Sequence, residues 1–286
     1  YQSLANKEKF PDYNKRVISL LDTLLASKRI SDAFIDGEKI RKEITNKNLE
    51  FYIVKNLYEG ESSRIHIQHK NIDTLYANVY RISPDIFLDE YYKSNESDSI
   101  VTQIINNKIP EKSFEILLQN NKDFFEYSTE VLLPQFKKGK YLLVLGDDIK
   151  HKDSLDFNIG YSVFGVTDIS LSYINKNNLT HFLVLDRKTG KPLQGAKVSI
   201  EENSGITDKK GELTIITKTK KEDKDKYKNI QVTYQDDLYS EWFYDGAYYW
   251  GNDKKENEES WEASVELYTD RAIYRPGQPL YYKGIV

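Results

Sequence analysis

The sequence predicts a mainly β protein in which antiparallel β-sandwiches stand in tandem after a short α-helical segment. Apolar residues recur three and four apart up to about residue 44, whereas after residue 48 they alternate with polar residues. The 286 residues exceed one ordinary domain and suit two or three domains of about 100 residues each. The 22 tyrosines and 12 phenylalanines fit the half-buried faces of pleated sheets.

The first predicted element is helical and covers residues 1–47. Between Asp12 and Ile44 the apolar positions follow the spacing of one helix face. Pro11 before Asp12 is typical of a helix start, and Gly37 is expected to break or bend the second half. We therefore expect a pair of helices, continuing from something longer upstream.

The first sandwich is predicted at 48–150. Ile65 and Ile67 alternate with His66 and Gln68, which is the period of a strand with one buried face. The stretch 84–110 is polar and irregular, and we expect a surface loop or a short helix there. Further strands are predicted at 49–54, 75–82, 113–117, 128–133 and 138–144.

A charged linker at 147–153 is predicted to end this domain, and a second sandwich is predicted at 151–262. In it, Gly190 and Gly195 can adopt backbone angles that other residues avoid, so the stretch 186–196 is explained as a turn. Residues 263–286 are predicted to be the first strands of a third, truncated domain. Because strand edges leave backbone groups unpaired, we expect them to lie along the second sandwich or to pair with another molecule.

Composition excludes several classes of function. The formal charge is −4, from 41 basic and 45 acidic residues mixed along the chain, so a nucleic-acid partner is not expected. Without cysteine, the chain has no disulfide, thiolate metal site or cysteine nucleophile. No apolar stretch reaches the roughly 18 residues of a transmembrane helix, and any export signal or lipid anchor is expected upstream of Tyr1.

No catalytic, cofactor-binding or metal-ligating residues are predicted, and we do not expect an enzyme. Nucleophile–base patterns, phosphate loops and zinc helices are absent from the sequence. Only His66 and His69 are close among the histidines, and a three-residue spacing on a strand directs them to opposite faces. We interpret them as two surface histidines.

Aromatic residues are concentrated between residues 239 and 250. They could form a domain junction or an exposed platform for a ligand, and the junction is favoured because large apolar groups are usually buried. The residues of this aromatic cluster are Tyr239, Trp242, Phe243, Tyr244, Tyr248, Tyr249 and Trp250.

The carboxyl end has the most specific pattern in the chain, a strand, a Pro-Gly turn and a second alternating strand. Residues 268–285 closely resemble the opening of a macroglobulin domain in alpha-2-macroglobulin family proteins, and Ala272 departs somewhat from that pattern. Residues 49–82 and 126–141 are similar to the first sandwich of the family as found in Bacteroidetes bacteria. The core of the motif is Tyr274, Arg275, Pro276, Gly277 and Gln278.

This resemblance implies immunoglobulin-like macroglobulin sandwiches that serve as a non-catalytic scaffold segment of a larger inhibitor. Such a parent would trap broad-spectrum endopeptidases, so proteases and neighbouring macroglobulin domains are the implied partners. The implied location is outside the cytoplasm, in the periplasm or at the cell surface. The thioester that many members use needs a cysteine and is therefore absent from this sequence.

Two other functions stay open from the sequence. One is a cell-surface module that binds carbohydrate or protein through the aromatic cluster. The other is a carboxypeptidase-regulatory-like accessory domain of an outer-membrane protein, which the phrase 190–196 suggests. The Pro276-Gly277-Gln278 motif argues against this second alternative.

Overall fold

Strands dominate the computed structural model, which confirms the predicted mainly β fold. Nearly all of the strands pair antiparallel, and two pairs of sheets each enclose an apolar core. The residues that the structure describes are 9–26, 31–88, 95–148, 159–176, 179–216, 227–244, 266–269 and 277–285.

Two antiparallel helices precede the sheets, α1 (Tyr13–Ala26) and α2 (Asp32–Thr45). The hydroxyl of Ser31 caps α2 by accepting a hydrogen bond from the Phe34 backbone N–H at 3.3 Å. Of the break or bend predicted at Gly37, the break is wrong, because α2 continues through this residue. A Cβ at this position would lie 3.0 Å from Leu24 Cδ2, so glycine here lets α1 and α2 approach closely.

The first sandwich stacks the three-stranded sheet β1-β3-β6 on the five-stranded sheet β2-β8-β7-β4-β5. Ile65 and Ile67 from one sheet meet Leu75, Leu143 and Phe164 from the other in a core that excludes water. The strands are β1 (Asn48–Ile53), β2 (Asn56–Leu57), β3 (Arg64–Lys70), β4 (Thr74–Ile82), β5 (Lys112–Leu117), β6 (Glu126–Leu132), β7 (Gly139–Gly146) and β8 (Ile159–Val166).

Strand β8 lies in the first sandwich, although the boundary predicted at 150 and 151 assigned it to the second. It pairs with β7 along its whole length, from Gly146 opposite Ile159 to Gly139 opposite Val166. In sequence, the charged stretch 147–153 therefore falls between two neighbouring strands of one sheet and not between the sandwiches, and its residues 149–153 lie outside the described residues. The sheets place the division between the sandwiches after Val166.

A third helix, α3 (Asn95–Asn107), occupies the stretch predicted as a loop or a short helix. Its Val101 and Ile104 pack against Leu142 and Val144, which project from the outer face of the five-stranded sheet. Both faces of β7 are thus covered, which explains why residues 141–145 are all buried and apolar rather than alternating.

The second sandwich stacks sheet β13-β10-β9 on sheet β12-β11-β14-β15. Phe182 and Val184 pack between the sheets against Val198, Ile230 and Val232. The strands are β9 (Ile169–Lys176), β10 (Leu179–Asp186), β11 (Lys197–Ile200), β12 (Asn203–Ile206), β13 (Glu212–Ile216), β14 (Tyr227–Tyr234) and β15 (Asp237–Tyr244).

The carboxyl-terminal strands β16 (Glu266–Thr269) and β17 (Tyr282–Ile285) pair with each other, with Thr269 opposite Tyr282. Together they form a separate two-stranded sheet. In the part of the chain that the structure describes, these strands therefore do not add to a sheet of the second sandwich, contrary to one of the two expected arrangements.

Candidate functional site at the junction of the two sandwiches

The connection between the sandwiches is only Thr167 and Asp168, between the end of β8 and the start of β9. The Thr167 backbone N–H donates to the Leu57 carbonyl in the first sandwich at 3.1 Å. The Asp168 backbone N–H donates to Asp237 Oδ2 in the second sandwich at 2.8 Å. Because each connecting residue is tied to one of the sandwiches, the linker has little freedom to bend.

Arg187 follows β10 in the second sandwich and reaches into the first. Its guanidinium donates to the carbonyls of Asn56, Leu57 and Thr167 at 3.0, 3.1 and 2.8 Å. The same group lies over the Tyr58 ring, 4.1 Å from the ring centroid. The planar guanidinium presents its N–H donors in a fixed fork, which suits such a cluster of carbonyls.

Carboxylates surround a lysine beside this contact. Lys138 Nζ, from the first sandwich, lies 3.4 Å from both Asp168 and Asp237 and 3.6 Å from Asp236. Burial works against the charge of Lys138, but Asp237, Asp236 and Asp168 outweigh it and raise the pKa of Lys138 above its ordinary value. We give the name polar hub to Lys138 and its three carboxylates, those of Asp168, Asp236 and Asp237, together with Arg187 and Tyr58.

On the other side of the junction, the segment 83–88 inserts an aromatic ring into the second sandwich. The Phe87 ring lies 4.4 Å from that of Tyr227 and 5.1 Å from that of Trp242 between centroids. Such tilted aromatic pairs add to the stabilisation that comes from area burial alone. We name Phe87, Tyr227 and Trp242 the aromatic clasp.

Hydrogen bonds fix the backbone of the same segment. The Pro84 carbonyl accepts from Asn229 Nδ2 at 3.0 Å and from Ser240 Oγ at 3.1 Å, both on the second sandwich. Gln231 Nε2 donates to Asp85 Oδ1 at 2.6 Å. The two sandwiches therefore touch through two separate contacts, the polar hub and the aromatic clasp.

A cleft of about 270 Å³ lies next to the clasp, between Lys55 and Phe164 on one side and Glu241 and Trp242 on the other. The buried Trp242 Nε1 has no hydrogen-bond partner among the described residues. The Trp242 ring packs against Phe87 from the opposite sandwich rather than standing as part of an open aromatic platform.

The remaining residues of the predicted aromatic cluster lie in different environments. Tyr239 is buried in the second core, and its hydroxyl donates to Glu241 Oε2 at 2.5 Å. Phe243 and Tyr244 lie on β15, opposite Lys228 and Tyr227 of β14. Tyr248, Tyr249 and Trp250 lie outside the described residues. The binding role of the cluster stays a prediction.

In the carboxyl-terminal motif, Gly277 has a φ of +83°, in the left-handed region that glycine tolerates best, and it lies in a turn. Gln278 is exposed. Tyr274, Arg275 and Pro276 lie outside the described residues.

The histidine prediction is half wrong. His66 and His69 do lie on opposite faces of β3, but His69 is 1% exposed rather than on the surface. Its ring stacks near that of Tyr127, with centroids 6.0 Å apart. Burial lowers the pKa of His69, although the charge of Glu126 opposes this, so the enclosed position favours the neutral ring.

The described residues contain no group of three or more histidine, cysteine, aspartate or glutamate side chains placed to hold a metal ion. Within the same residues, no helix has the length and apolar character needed to cross a membrane.

Sequence reasoning missed the residues that join the sandwiches: Arg187, Lys138, Tyr58 and Phe87. Arg187 lies in the stretch 186–196, which its glycines and proline already explain as a turn. Its turn is indeed built locally, since Asp186 Oδ1 accepts from the Thr189 N–H and hydroxyl, both at 2.7 Å. An arginine in a turn is ordinary on any surface, so no signal in one sequence marks it as a junction residue.

No family model matches the chain, and no curated protein matches it. Among solved structures, it is similar to native alpha-2-macroglobulin from Escherichia coli spanning domains MG0-NIE-MG1, at 14% identity and a TM-score of 0.47, covering 68% of this chain and 63% of that one. The crystal structure of the NIE-MG1 part gives 14% identity and a TM-score of 0.46, covering 68% of this chain and 95% of that one.

The cryo-EM reconstruction of the same Escherichia coli protein in its native conformation gives 14% identity and a TM-score of 0.38. That match covers 68% of this chain but only 12% of the other, so the chain spans a small part of that protein's length. Red sea bream transglutaminase is also similar, at 9% identity and a TM-score of 0.27. At such low identities and TM-scores, none of these proteins identifies the chain.

Proposed function

We propose that the chain is a non-catalytic scaffold segment that holds two β-sandwiches at a fixed angle within a larger, protease-trapping protein of the alpha-2-macroglobulin type. The observation that carries the scaffold role is the reach of Arg187 from one sandwich to three backbone carbonyls around the other. Backbone carbonyls do not move with side-chain rotamers, so this contact fixes the position of one domain on the other.

The two sides of the junction support this proposal together. Sandwiches joined by a linker would be expected to move relative to each other unless their interface is substantial. Here, a large rotation of one sandwich about Thr167 and Asp168 would have to separate the contacts of the polar hub or of the aromatic clasp. A rigid pair of domains is what a protein needs if distant parts of it must keep their spacing.

The family assignment draws its support from the sequence motif at 268–285 and from the order of elements. A helical segment, a first sandwich, a second sandwich and then a hairpin follow one another in the described structure. The macroglobulin identity of these sandwiches, a Bacteroidetes-type parent, an extracytoplasmic location and proteases as partners of the full-length parent belong to the same proposal.

A trapping assay on the full-length protein tests the family function. After incubation with a broad-specificity protease, we expect cleavage at one region, a change in electrophoretic mobility and retained activity of the protease toward small peptides but not toward large proteins. The present chain alone is the control and should not inhibit. Degradation throughout the full-length protein, or unhindered cleavage of large substrates, would contradict the trap.

A further inference from the structure

Strand β5 (Lys112–Leu117) is an edge of the five-stranded sheet, in which it pairs with β4. The register of this pairing is uninterrupted along the whole strand. Just past it, the Leu118 backbone N–H donates to the Asp73 carbonyl at 2.8 Å. Because hydrogen-bonded pairs alternate along an antiparallel ladder, Phe114 and Ile116 direct their backbone groups to β4.

The backbone N–H and C=O groups of Ser113, Glu115 and Leu117 therefore point away from the sheet. They make no backbone hydrogen bond to another residue in the part of the chain that the structure describes. Such groups recur about every 6.6 Å along a strand, which is twice the rise per residue. An extended backbone presents donors and acceptors at the same spacing, so this open edge is complementary to a β-strand.

Apolar side chains at both ends of the edge lie in water. Ile109, three residues before β5, is 94% exposed, and Leu117, the last residue of β5, is 82% exposed. Among the large apolar side chains of the described residues, these two have the highest exposure. Phe114, between them, is only partly buried against the first core. Apolar side chains beside unpaired backbone groups are typical of an edge that a partner covers.

Several other edges of the described sheets are short or covered. Strand β2 has only two residues, Asn56–Leu57. Phe51 of β1 packs on Gly160 of β8, where an added Cβ would lie 2.8 Å from the Phe51 ring. Leu213 of β13 packs in the same way on Gly205 of β12. Strand β5 is longer than β2, and the exposed apolar side chains at its ends show that no described residue covers them.

We propose that the open edge of β5 binds an extended segment of another protein, which adds to the five-stranded sheet as a further antiparallel strand. The antiparallel direction follows from hydrogen bonding, since antiparallel pairs are slightly more stable per residue than parallel ones. This surface goes beyond the scaffold role, because β5 and β2 are opposite edges of the sheet and Arg187 binds at β2. A strand bound at β5 therefore leaves the polar hub in place.

The alternation of side chains fixes the character of the bound segment. Its residues opposite Phe114 and Ile116 lie toward the core and are apolar. On the outer face, an apolar residue lies opposite Leu117 and a basic residue lies opposite Glu115, which has no ion pair with another described residue. An acidic residue opposite Lys112 completes the pattern. The partner is thus an extended segment of alternating apolar residues with a basic residue on its outer face.

A synthetic peptide with this pattern, acetyl-Val-Ile-Lys-Val-Thr-Glu-amide, is the probe for the whole chain. Nuclear magnetic resonance of the isotope-labelled chain follows amide hydrogen exchange as the peptide is added. We expect saturable binding and slower exchange at Ser113, Glu115 and Leu117, whose N–H groups gain acceptors. Exchange at Phe114 and Ile116 should change much less, because their N–H groups already donate to β4. Only strand addition gives this alternating pattern.

Substitutions at Glu115 separate backbone pairing from side-chain contact. Glu115→Pro removes an outward N–H but no donor to β4, and should weaken peptide binding by at least about tenfold. Glu115→Gln is the matched control, which keeps the N–H and should weaken binding by at most about fivefold. Glu115→Lys should weaken binding of this peptide and strengthen binding of one in which glutamate replaces its lysine.

A second pair of variants tests the apolar contact without touching the backbone. Leu117→Ala should weaken peptide binding several-fold, whereas Leu20→Ala, at a position that is 71% exposed on α1, should leave it unchanged. Circular dichroism checks that each variant is folded. If Glu115→Pro does not fold, Glu115→Lys and Leu117→Ala decide the question.

Several outcomes would overturn the proposal. These are no saturable binding of the peptide, binding that Glu115→Pro or Leu117→Ala leaves intact, and protection that does not alternate along β5. Protection of the same amides as the concentration of the chain alone is raised would assign the edge to a second copy, and a partner segment would be wrong. None of these results affects the scaffold role, which depends on contacts at the opposite edge of the sheet.

Discussion

The junction between the sandwiches and the helix pair use similar side chains in opposite ways. At the junction, Arg187 donates to three carbonyls and covers Tyr58, whereas in the helix pair Arg41 meets one carboxylate, and both partners are about half exposed. Phe87 lies between two rings, whereas Leu20 is 71% exposed. From this contrast we expect the relative position of the two sandwiches to depend on the junction contacts and not on the helix pair.

Replacing one arginine from each region should show the largest difference in stability between them. Arg187→Ala should lower the free energy of unfolding by about 3 kcal/mol, because it leaves junction carbonyls without their donors. Arg41→Ala should cost at most about 0.5 kcal/mol, since an exposed ion pair stabilises little. Urea unfolding of both variants measures the difference. Equal losses of stability in the two variants would mean that Arg187 stabilises the chain no more than an exposed surface arginine does.

The aromatic clasp should show the next largest effect. Phe87→Ala should lower the free energy of unfolding by about 2 kcal/mol, because it removes two ring contacts. The loss is smaller than for a core phenylalanine because Phe87 is only partly buried. Leu20→Ala should change the free energy of unfolding by at most about 0.5 kcal/mol, because Leu20 is exposed. Thermal unfolding at low protein concentration compares the two. A Phe87→Ala variant as stable as the wild type would show that the clasp contributes nothing.

Lys138 is expected to stabilise the folded chain less than the aromatic clasp does, and its contribution should depend on pH. Its raised pKa means that it binds its proton more tightly in the folded state. The resulting stability is complete below the ordinary pKa of 10.5 and is lost as the pH rises through the higher folded value. Lys138→Met should cost about 1 kcal/mol at pH 7 and flatten that alkaline decline. A decline identical in the variant would argue against this lysine as its source.

Replacing His69 should have the smallest effect on stability, and that effect should appear as the pH falls below 7. Because burial lowers the pKa of its ring, the unfolded chain takes up this proton first as the pH falls below 6.5. Stability is therefore present above that pH and is lost as the pH drops toward the folded pKa. The pH dependence of unfolding between pH 7 and pH 5 should be shallower in His69→Gln than in the wild type. His66→Gln, on the opposite face of the same strand, is the matched substitution control.

The sequence was informative wherever one face of an element packs against a single neighbour. The alternation of Ile65 and Ile67 with polar residues predicts β3 because the pleat directs every second side chain to the core. His69 has the same parity as Ile65 and Ile67, so the alternation directs it to the core face as well; its placement on the surface followed its polar residue type and was wrong. Burial there comes from neighbouring side chains such as Tyr127, distant in sequence.

The contacts between the sandwiches could not be predicted, for a related reason. The sequence assigned 159–166 to the second sandwich, but the sheet that this strand joins is decided by its pairing with β7. In the same way, Arg187 and Phe87 become junction residues only when two folded domains meet. The break expected at Gly37 failed because a glycine can also serve close helix packing.

The most direct test of the scaffold is the distance between the two sandwiches in solution. The chain has no cysteine, so one spin label can be placed at Leu117 on the first sandwich and one at Ile206 on the second, positions that are 82% and 66% exposed. Double electron–electron resonance, with labelled chain diluted into unlabelled chain, should give one narrow distance distribution that broadens in Arg187→Ala. A broad distribution in the otherwise unaltered chain would mean that the sandwiches move freely, and the scaffold account would be wrong.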